Sequence, residues 1–222
     1  LALWLSVIWV GASAPSVVAA QAAGEVSGDP ASAPQTSQAV VEVADWVAAT
    51  RDNRGLPYMI IDKVSAQVFV FGADGQLRGA TPALLGVARG DRSLPGIGDL
   101  KLSDIRPEDR TTPAGRFLAA YGPAIGSKDV LWVDYDTAVS LHPVVTSNPK
   151  ERRLQRLKSP SPDDNRITYG CINVASGFYD EVVHPAFTGT NGIVYVLPES
   201  EPLSAFLPSF QARSGSASAK LP

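Results

Sequence analysis

A mainly β domain of the sandwich or barrel kind is the fold that this chain predicts, on three observations. Short runs of β-branched and aromatic residues recur with turn residues between them, an Asp-Gly pair joins two of those runs, and helical periodicity is confined to a few short stretches. Taken in order, Val40, Val43, Ala44 and Val47 fall at i, i+3, i+4 and i+7, which predicts an amphipathic helix within 39–56 that ends near Asn53-Arg54-Gly55 and packs on the domain edge. Strand signals begin at Pro57. Tyr58 to Asp62 and Gln67 to Phe71 read as strands, and the turn Ala73-Asp74-Gly75-Gln76 leads into a third, Leu77 to Val87, which makes a meander. Further strands are predicted at Arg116 to Tyr121, Leu131 to Asp134, Ala138 to His142 and Ile193 to Leu197.

Between these, Ala88 to Thr112 is a long Gly- and Pro-punctuated connection holding Asp91, Asp99, Asp104, Glu108 and Asp109, and its length suggests a lid or rim. Asn148 as N-cap, Pro149 at N1 and Glu151 at N3 predict one helix running to Leu157. Phe178 to Val183 reads as a short helix that offers Tyr179, Val182 and Val183 to the core. There is no internal repeat.

The ends differ from this middle. The first 24 residues carry no charge and open on an apolar run, and Val18-Ala19-Ala20 and Ala20-Gln21-Ala22 both suit a signal-peptidase cut, so 1–23 resembles a secretory signal without its basic start. A membrane anchor is the competing reading, but Ser13, Pro15, Ser16 and Gln21 interrupt the ~20 apolar residues that a span needs. Residues 24–38, rich in Ser, Ala, Pro, Gly and Gln, read as a linker, and 199–222 as a C-terminal helix and disordered tail. That leaves 57–198 as the functional domain of an exported protein of the periplasm or cell envelope.

A chain of 222 residues, 45% hydrophobic and 18% charged, can bury a full core. Its net charge of -3 argues against a nucleic-acid partner, since no excess of Lys and Arg is present to replace phosphate counterions. One segment departs from the average: 148–166 holds Lys150, Arg152, Arg153, Arg156, Lys158 and Arg166 against Glu151, Asp163 and Asp164. Such a stretch is either a solvated helix face or an anion-facing lobe.

The chemistry is concentrated in Arg166-Ile167-Thr168-Tyr169-Gly170-Cys171-Ile172-Asn173, which contains the only cysteine. A glycine before the cysteine permits a tight bend and leaves room for a substrate carbonyl near the sulfur, and the polar Thr168 and Asn173 can hold the turn. A free cysteine is often just a small buried hydrophobe. In an exported protein, however, thiols tend to be used in pairs, and a solitary one is either buried or reserved for reactivity. A thiol of ordinary pKa ~8.5 is only a few per cent thiolate near neutrality, so a nucleophilic one needs a base or cation beside it. Two histidines are available. His142 ends the predicted strand Ala138-Val139-Ser140-Leu141-His142, where alternation puts it on one face with Ser140, whereas His184 sits at a helix end as a cap or surface residue. His142 is therefore the candidate base. The two histidines and single cysteine form no zinc spacing, and neither a Gly-x-Ser-x-Gly elbow nor a phosphate loop occurs, so no metal and no cofactor are expected.

With these residues in place, 57–198 resembles the L,D-transpeptidase (YkuD-like) catalytic domain. The resemblance is carried by Ile60-Ile61-Asp62 with Ala66-Gln67-Val68-Phe69-Val70-Phe71, by Thr112-Pro113-Ala114-Gly115-Arg116-Phe117, by His142, and most specifically by Thr168-Tyr169-Gly170-Cys171-Ile172-Asn173. It implies a mostly β, exported enzyme whose Cys171 attacks the carbonyl between the L-centre of diaminopimelate and a terminal D-alanine in a peptidoglycan stem peptide, with His142 as proton carrier. A thioester follows, and an amine resolves it. Tyr169, Gly170, Arg166 and Asn173 are the candidates for substrate binding and the oxyanion, the backbone N–H groups of 169–171 among them, while Arg166 and the basic helix would hold stem-peptide carboxylates. Arg166 could equally pair with Asp163 or Asp164. Two departures stand out: Tyr169 lies where the family commonly has histidine, and Pro143 where it commonly has glycine. His142 and Cys171 are also further apart in sequence than is usual in the family, with the basic helix inserted between them. The protein is expected to act as a monomer on peptidoglycan, with no nucleic acid and no integral membrane role beyond 1–23.

Other readings compete. With water as acceptor, the same site is an L,D-carboxypeptidase. A sortase needs an arginine after the nucleophile, and the only one beyond Cys171 is Arg213, in the tail. Papain-like enzymes place cysteine before histidine. A wall-binding module that has lost turnover is the non-enzymatic alternative.

Overall fold

The computed structural model describes residues 36–124 and 129–210. The predicted signal or anchor, most of the linker and the tail from 211 onward, with Arg213, lie outside the described residues. The described residues open on helix α1 (Gln38–Thr50), capped by Ser37, whose Oγ accepts from the Val40 N–H. Arg51 in the left-handed conformation ends it, a few residues before the expected stop.

Ten strands follow among the described residues: β1 (Tyr58–Asp62), β2 (Gln67–Phe71), β3 (Leu77–Pro82), β4 (Leu85–Gly86), β5 (Gly115–Gly122), β6 (Val130–Asp134), β7 (Val139–Pro143), β8 (Arg166–Thr168), β9 (Ile172–Val174) and β10 (Gly192–Leu197). The main sheet runs β3-β2-β1-β10-β5-β6-β7-β9, and β4 pairs with β8 apart from it. The sheet curls nearly shut. Leu84, just past β3 at one edge, exchanges backbone hydrogen bonds of 2.8 and 2.9 Å with Asn173 in β9 at the other. The mainly β, barrel-like expectation therefore describes the molecule.

The sheet has two apolar faces because β1, β2 and β10 are buried on both sides, which explains their nearly continuous apolar runs. Met59, Ile61, Val68, Val70, Leu131, Leu141, Ile172 and Val194 fill the inside. Tyr58, Ile60, Phe69, Phe71, Ile193 and Tyr195 point outward, where α1 covers them with Val40, Val43, Trp46 and Val47.

Three elements differ from expectation. The strand predicted over Leu77 to Val87 breaks at Pro82, since its second half must leave β2 to reach β8. The helix predicted from Asn148 to Leu157 is two pieces, a 3-10 turn (Pro149–Glu151) and α2 (Arg153–Leu157), because Arg152 between them takes a left-handed conformation at φ 48°. Phe178 to Val183 belongs to a longer helical stretch: α3 (Ser176–Phe178), a π turn (Tyr179–Val183) and α4 (His184–Phe187).

The 88–112 connection is a rim rather than a free flap. Lys63, fully buried, reaches the carbonyls of Gly90 (2.6 Å) and Thr112 (3.0 Å) and the carboxylate of Asp91 (2.8 Å). Asp91 in turn accepts the N–H groups of Glu199, Ser200 and Glu201. Burial pushes the Asp91 carboxyl up, but these donors outweigh it and hold it well below the usual carboxylate range. Burial lowers Lys63, against the pull of Asp91.

Candidate active site

β7 and β9 lie side by side and parallel, with Leu141 opposite Ile172 and His142 opposite Asn173. Since side chains alternate, this register sends Leu141 and Ile172 into the core and leaves Ser140, His142 and Asn173 on the outer face beside Cys171. Trp132 joins the same row, paired with Ser140 across β6 and β7. Residues remote in sequence thus become neighbours through one strand pairing.

Cys171 is half-buried, its Sγ 3.7 Å from Ser140 Oγ and 3.8 Å from the Ala138 carbonyl. The turn that presents it is built as its residues suggest. Gly170 sits at φ 130°, and a Cβ there would lie 2.8 Å from the Thr111 carbonyl oxygen, so both conformation and space require glycine. Thr168 Oγ1 donates to the Cys171 carbonyl at 2.7 Å and accepts the Gly170 N–H at 3.2 Å. From the rim, Thr112 Oγ1 donates to the Gly170 carbonyl at 2.8 Å.

The His142 ring is held at both nitrogens. Nδ1 lies 2.9 Å from the Pro143 carbonyl, which can only accept, so Nδ1 carries the proton. Nε2 faces Asn173 Nδ2 at 3.0 Å. Pro143 therefore costs the site nothing in orientation, because the group that fixes the imidazole is a backbone carbonyl that any residue would supply.

The titration of the two groups is coupled. Burial pushes the Cys171 thiol up, but hydrogen bonding and charge from His142, together with the Ser140 backbone and hydroxyl, outweigh it and hold the thiol below its ordinary value. Burial pushes His142 down; Cys171 and the Pro143 carbonyl outweigh it and raise the imidazole above its ordinary value, with the positive charge of Arg153 acting in the opposite sense. A lowered thiol beside a raised imidazole is the arrangement of a thiolate–imidazolium pair.

Arg166 and Asn173 are placed differently from expectation. The Arg166 guanidinium bonds Glu199 at 2.6 Å and the Lys63 carbonyl at 2.7 Å, so its charge is neutralised beneath the rim by neither Asp163 nor Asp164. The Asn173 side chain is committed to His142 and to Arg153, whose Nη1 donates to Oδ1 at 2.8 Å, instead of facing a substrate. The Gly170 N–H is spent on Thr168. Tyr169 packs beneath Arg110, whose guanidinium carbon lies 3.9 Å from the ring centroid. His184 is an exposed residue with its ring edge-on to Tyr121. Ser140 and Arg153 were not singled out from the sequence for the thiol and the imidazole, although the alternation that puts Ser140 with His142 was readable. Among the described residues no group of three or more His, Cys, Asp or Glu could hold a metal ion, and no helix is long and apolar enough to cross a membrane.

No family model and no curated protein matches the chain. Solved structures similar to it are L,D-transpeptidase domains. The catalytic domain of the E. faecium L,D-transpeptidase is 16% identical, with 63% of this chain and 95% of that one covered and a TM-score of 0.35. The L,D-transpeptidase from Mycobacterium smegmatis is 18% identical over 63% of this chain and 58% of its own, with a TM-score of 0.37. The helical cell shape determining protein Pgp2 from Campylobacter jejuni is 14% identical over 66% of this chain, with a TM-score of 0.43, and the match spans about half of its length, 49%.

Proposed function

We propose that this protein is a cysteine acyltransferase of the L,D-transpeptidase type, acting on peptidoglycan stem peptides in the cell envelope. The observation that carries the reading is the chain's only thiol, half-buried on a glycine turn, with its pKa lowered by an imidazole whose own tautomer is fixed by the Pro143 carbonyl. A structural cysteine needs none of these features.

In the first half-reaction His142 Nε2 takes the Cys171 proton and Sγ attacks the carbonyl carbon joining the diaminopimelate L-centre to the terminal D-alanine. The C–S bond forms, the C–N bond breaks, and the imidazolium passes its proton to the departing amine of D-alanine. With the Gly170 N–H bonded to Thr168, the Cys171 N–H is the candidate donor for the tetrahedral oxyanion, a contribution of about 3 kcal/mol per donor in other enzymes. In the second half-reaction an acceptor amine attacks the thioester. The C–S bond breaks, an amide forms, and the amine's proton returns through His142 to Sγ. Water in place of the amine gives trimming in place of cross-linking.

Intact-protein mass spectrometry after incubation with a tetrapeptide-stem muropeptide tests the reading. The expected result is an adduct on Cys171 equal to the muropeptide less alanine. Unmodified protein beside unchanged muropeptide would count against it.

A further inference from the structure

The Asn173 amide lies between two partners that demand opposite things of it. Arg153 has only N–H donors, so the Asn173 atom facing it must be Oδ1, and the 2.8 Å contact from Nη1 fits that. The amide's other end, Nδ2, then faces His142 Nε2 at 3.0 Å and can only donate there. Arg153 is itself fixed: its Nε bonds Glu151 at 2.5 Å, and its side chain is only 14% exposed. It belongs to α2, in the segment between the candidate base and the candidate nucleophile, and it begins that helix because Arg152 has broken the one before it.

We propose that Arg153 is a positioning residue which, by pinning the Asn173 amide, presents an N–H and not a carbonyl oxygen to His142 Nε2. This inference rests on the acyl-transfer reading. Nε2 is thereby kept as a proton acceptor. Once Nε2 takes the Cys171 proton, its N–H confronts the Asn173 N–H, and the nearby guanidinium adds repulsion. The imidazolium is made a stronger acid, quicker to hand its proton to the leaving amine. The groups facing the imidazole are Cys171 from the turn, Asn173 from β9, Ser140 and the Pro143 carbonyl from β7, and Arg153 from α2; Glu151 reaches Arg153. The charge of Arg153 lowers His142, in the same sense as the amide.

The test is the pH titration of the His142 imidazole, followed by NMR of its ring in the full chain, with circular dichroism confirming the fold of each variant. In Arg153→Met the amide is free to turn its oxygen to Nε2 and the charge is gone, so the imidazolium is better stabilised and holds its proton to higher pH. The His142 midpoint should rise by about half a unit to one unit, an acid about three- to ten-fold weaker. Arg153→Lys, which keeps the charge and a donor, should restore the wild-type midpoint. A merely structural role gives the opposite sign, because in a loosened site His142 loses the thiolate and drifts down toward a free imidazole. A His142 midpoint in Arg153→Met that is unchanged or lower overturns the inference; should that variant unfold, Arg153→Gln, also uncharged, is read the same way. Iodoacetamide alkylation of the single cysteine in His142→Ala separates the two levels. If the alkylation midpoint is unchanged, the acyl-transfer reading fails and this inference with it; if it rises while the Arg153→Met variant does not raise the His142 midpoint, the positioning role alone is lost.

Discussion

Cys171 has a lowered pKa because His142 and Ser140 offset its burial, and the direction of that shift sets the sign of a substitution. In His142→Ala the thiol should return toward or above ~8.5, so that alkylation at pH 7 slows about ten-fold or more and its midpoint moves up. A midpoint that stays in place would mean that the imidazole does not hold the thiolate. Gly170→Ala should cost about 1–3 kcal/mol, because the added methyl meets the Thr111 carbonyl and the left-handed conformation is strained for alanine. Chemical denaturation measures the loss, and a stability equal to the parent would contradict the packing described here. Much of this was readable in the sequence: the single cysteine, the preceding glycine and the alternation that put His142 with Ser140 needed no coordinates. The partner of Arg166 was not legible because Glu199 lies 33 residues away, whereas Asp163 and Asp164 are close at hand in the chain.

At the scale of elements, the site depends on the pairing of β7 with β9 and on the rim that Lys63 and Asp91 fasten. Removing one member of a buried ion pair leaves an uncompensated charge, so Lys63→Ala should lose about 3–5 kcal/mol in a denaturant titration. Asp91 adds a pH signature. Its folded value lies below its unfolded one, so its stabilisation is complete above the unfolded pKa of ~3.9 and disappears as pH falls through the folded value. Asp91→Asn should therefore be less stable at pH 7 and show a shallower acid decline; an acid limb as steep as the parent's would exclude Asp91 as its source. The strands that escaped the sequence, β8 and β9, are three residues long, too short for alternation to register. The helix break at Arg152 was hidden too, since the capping signature at Asn148 looks the same ahead of a single 3-10 turn as ahead of a long helix.

For the whole molecule, the near-closure of the sheet and the candidate active-site face meet at Asn173. Its backbone joins β9 to Leu84 while its side chain links His142 to Arg153. The strands of the meander and the mainly β class were legible because their apolar runs are long; the closure was not, because it rests on one backbone pair between residues 84 and 173 with no side-chain signal. On the opposite side, α1 seals the outer apolar face through Trp46, which packs edge-on against Tyr195 and Phe210. The proposed exchange of D-alanine for an acceptor, by one thiol made reactive by one imidazole, is measured most directly as the release of D-alanine from a stem tetrapeptide whose own amines are blocked. A rapid burst of one D-alanine per Cys171, absent in Cys171→Ala and slowed in His142→Ala, is the predicted result. Release that persists in Cys171→Ala, or no release by the wild-type protein, would contradict it.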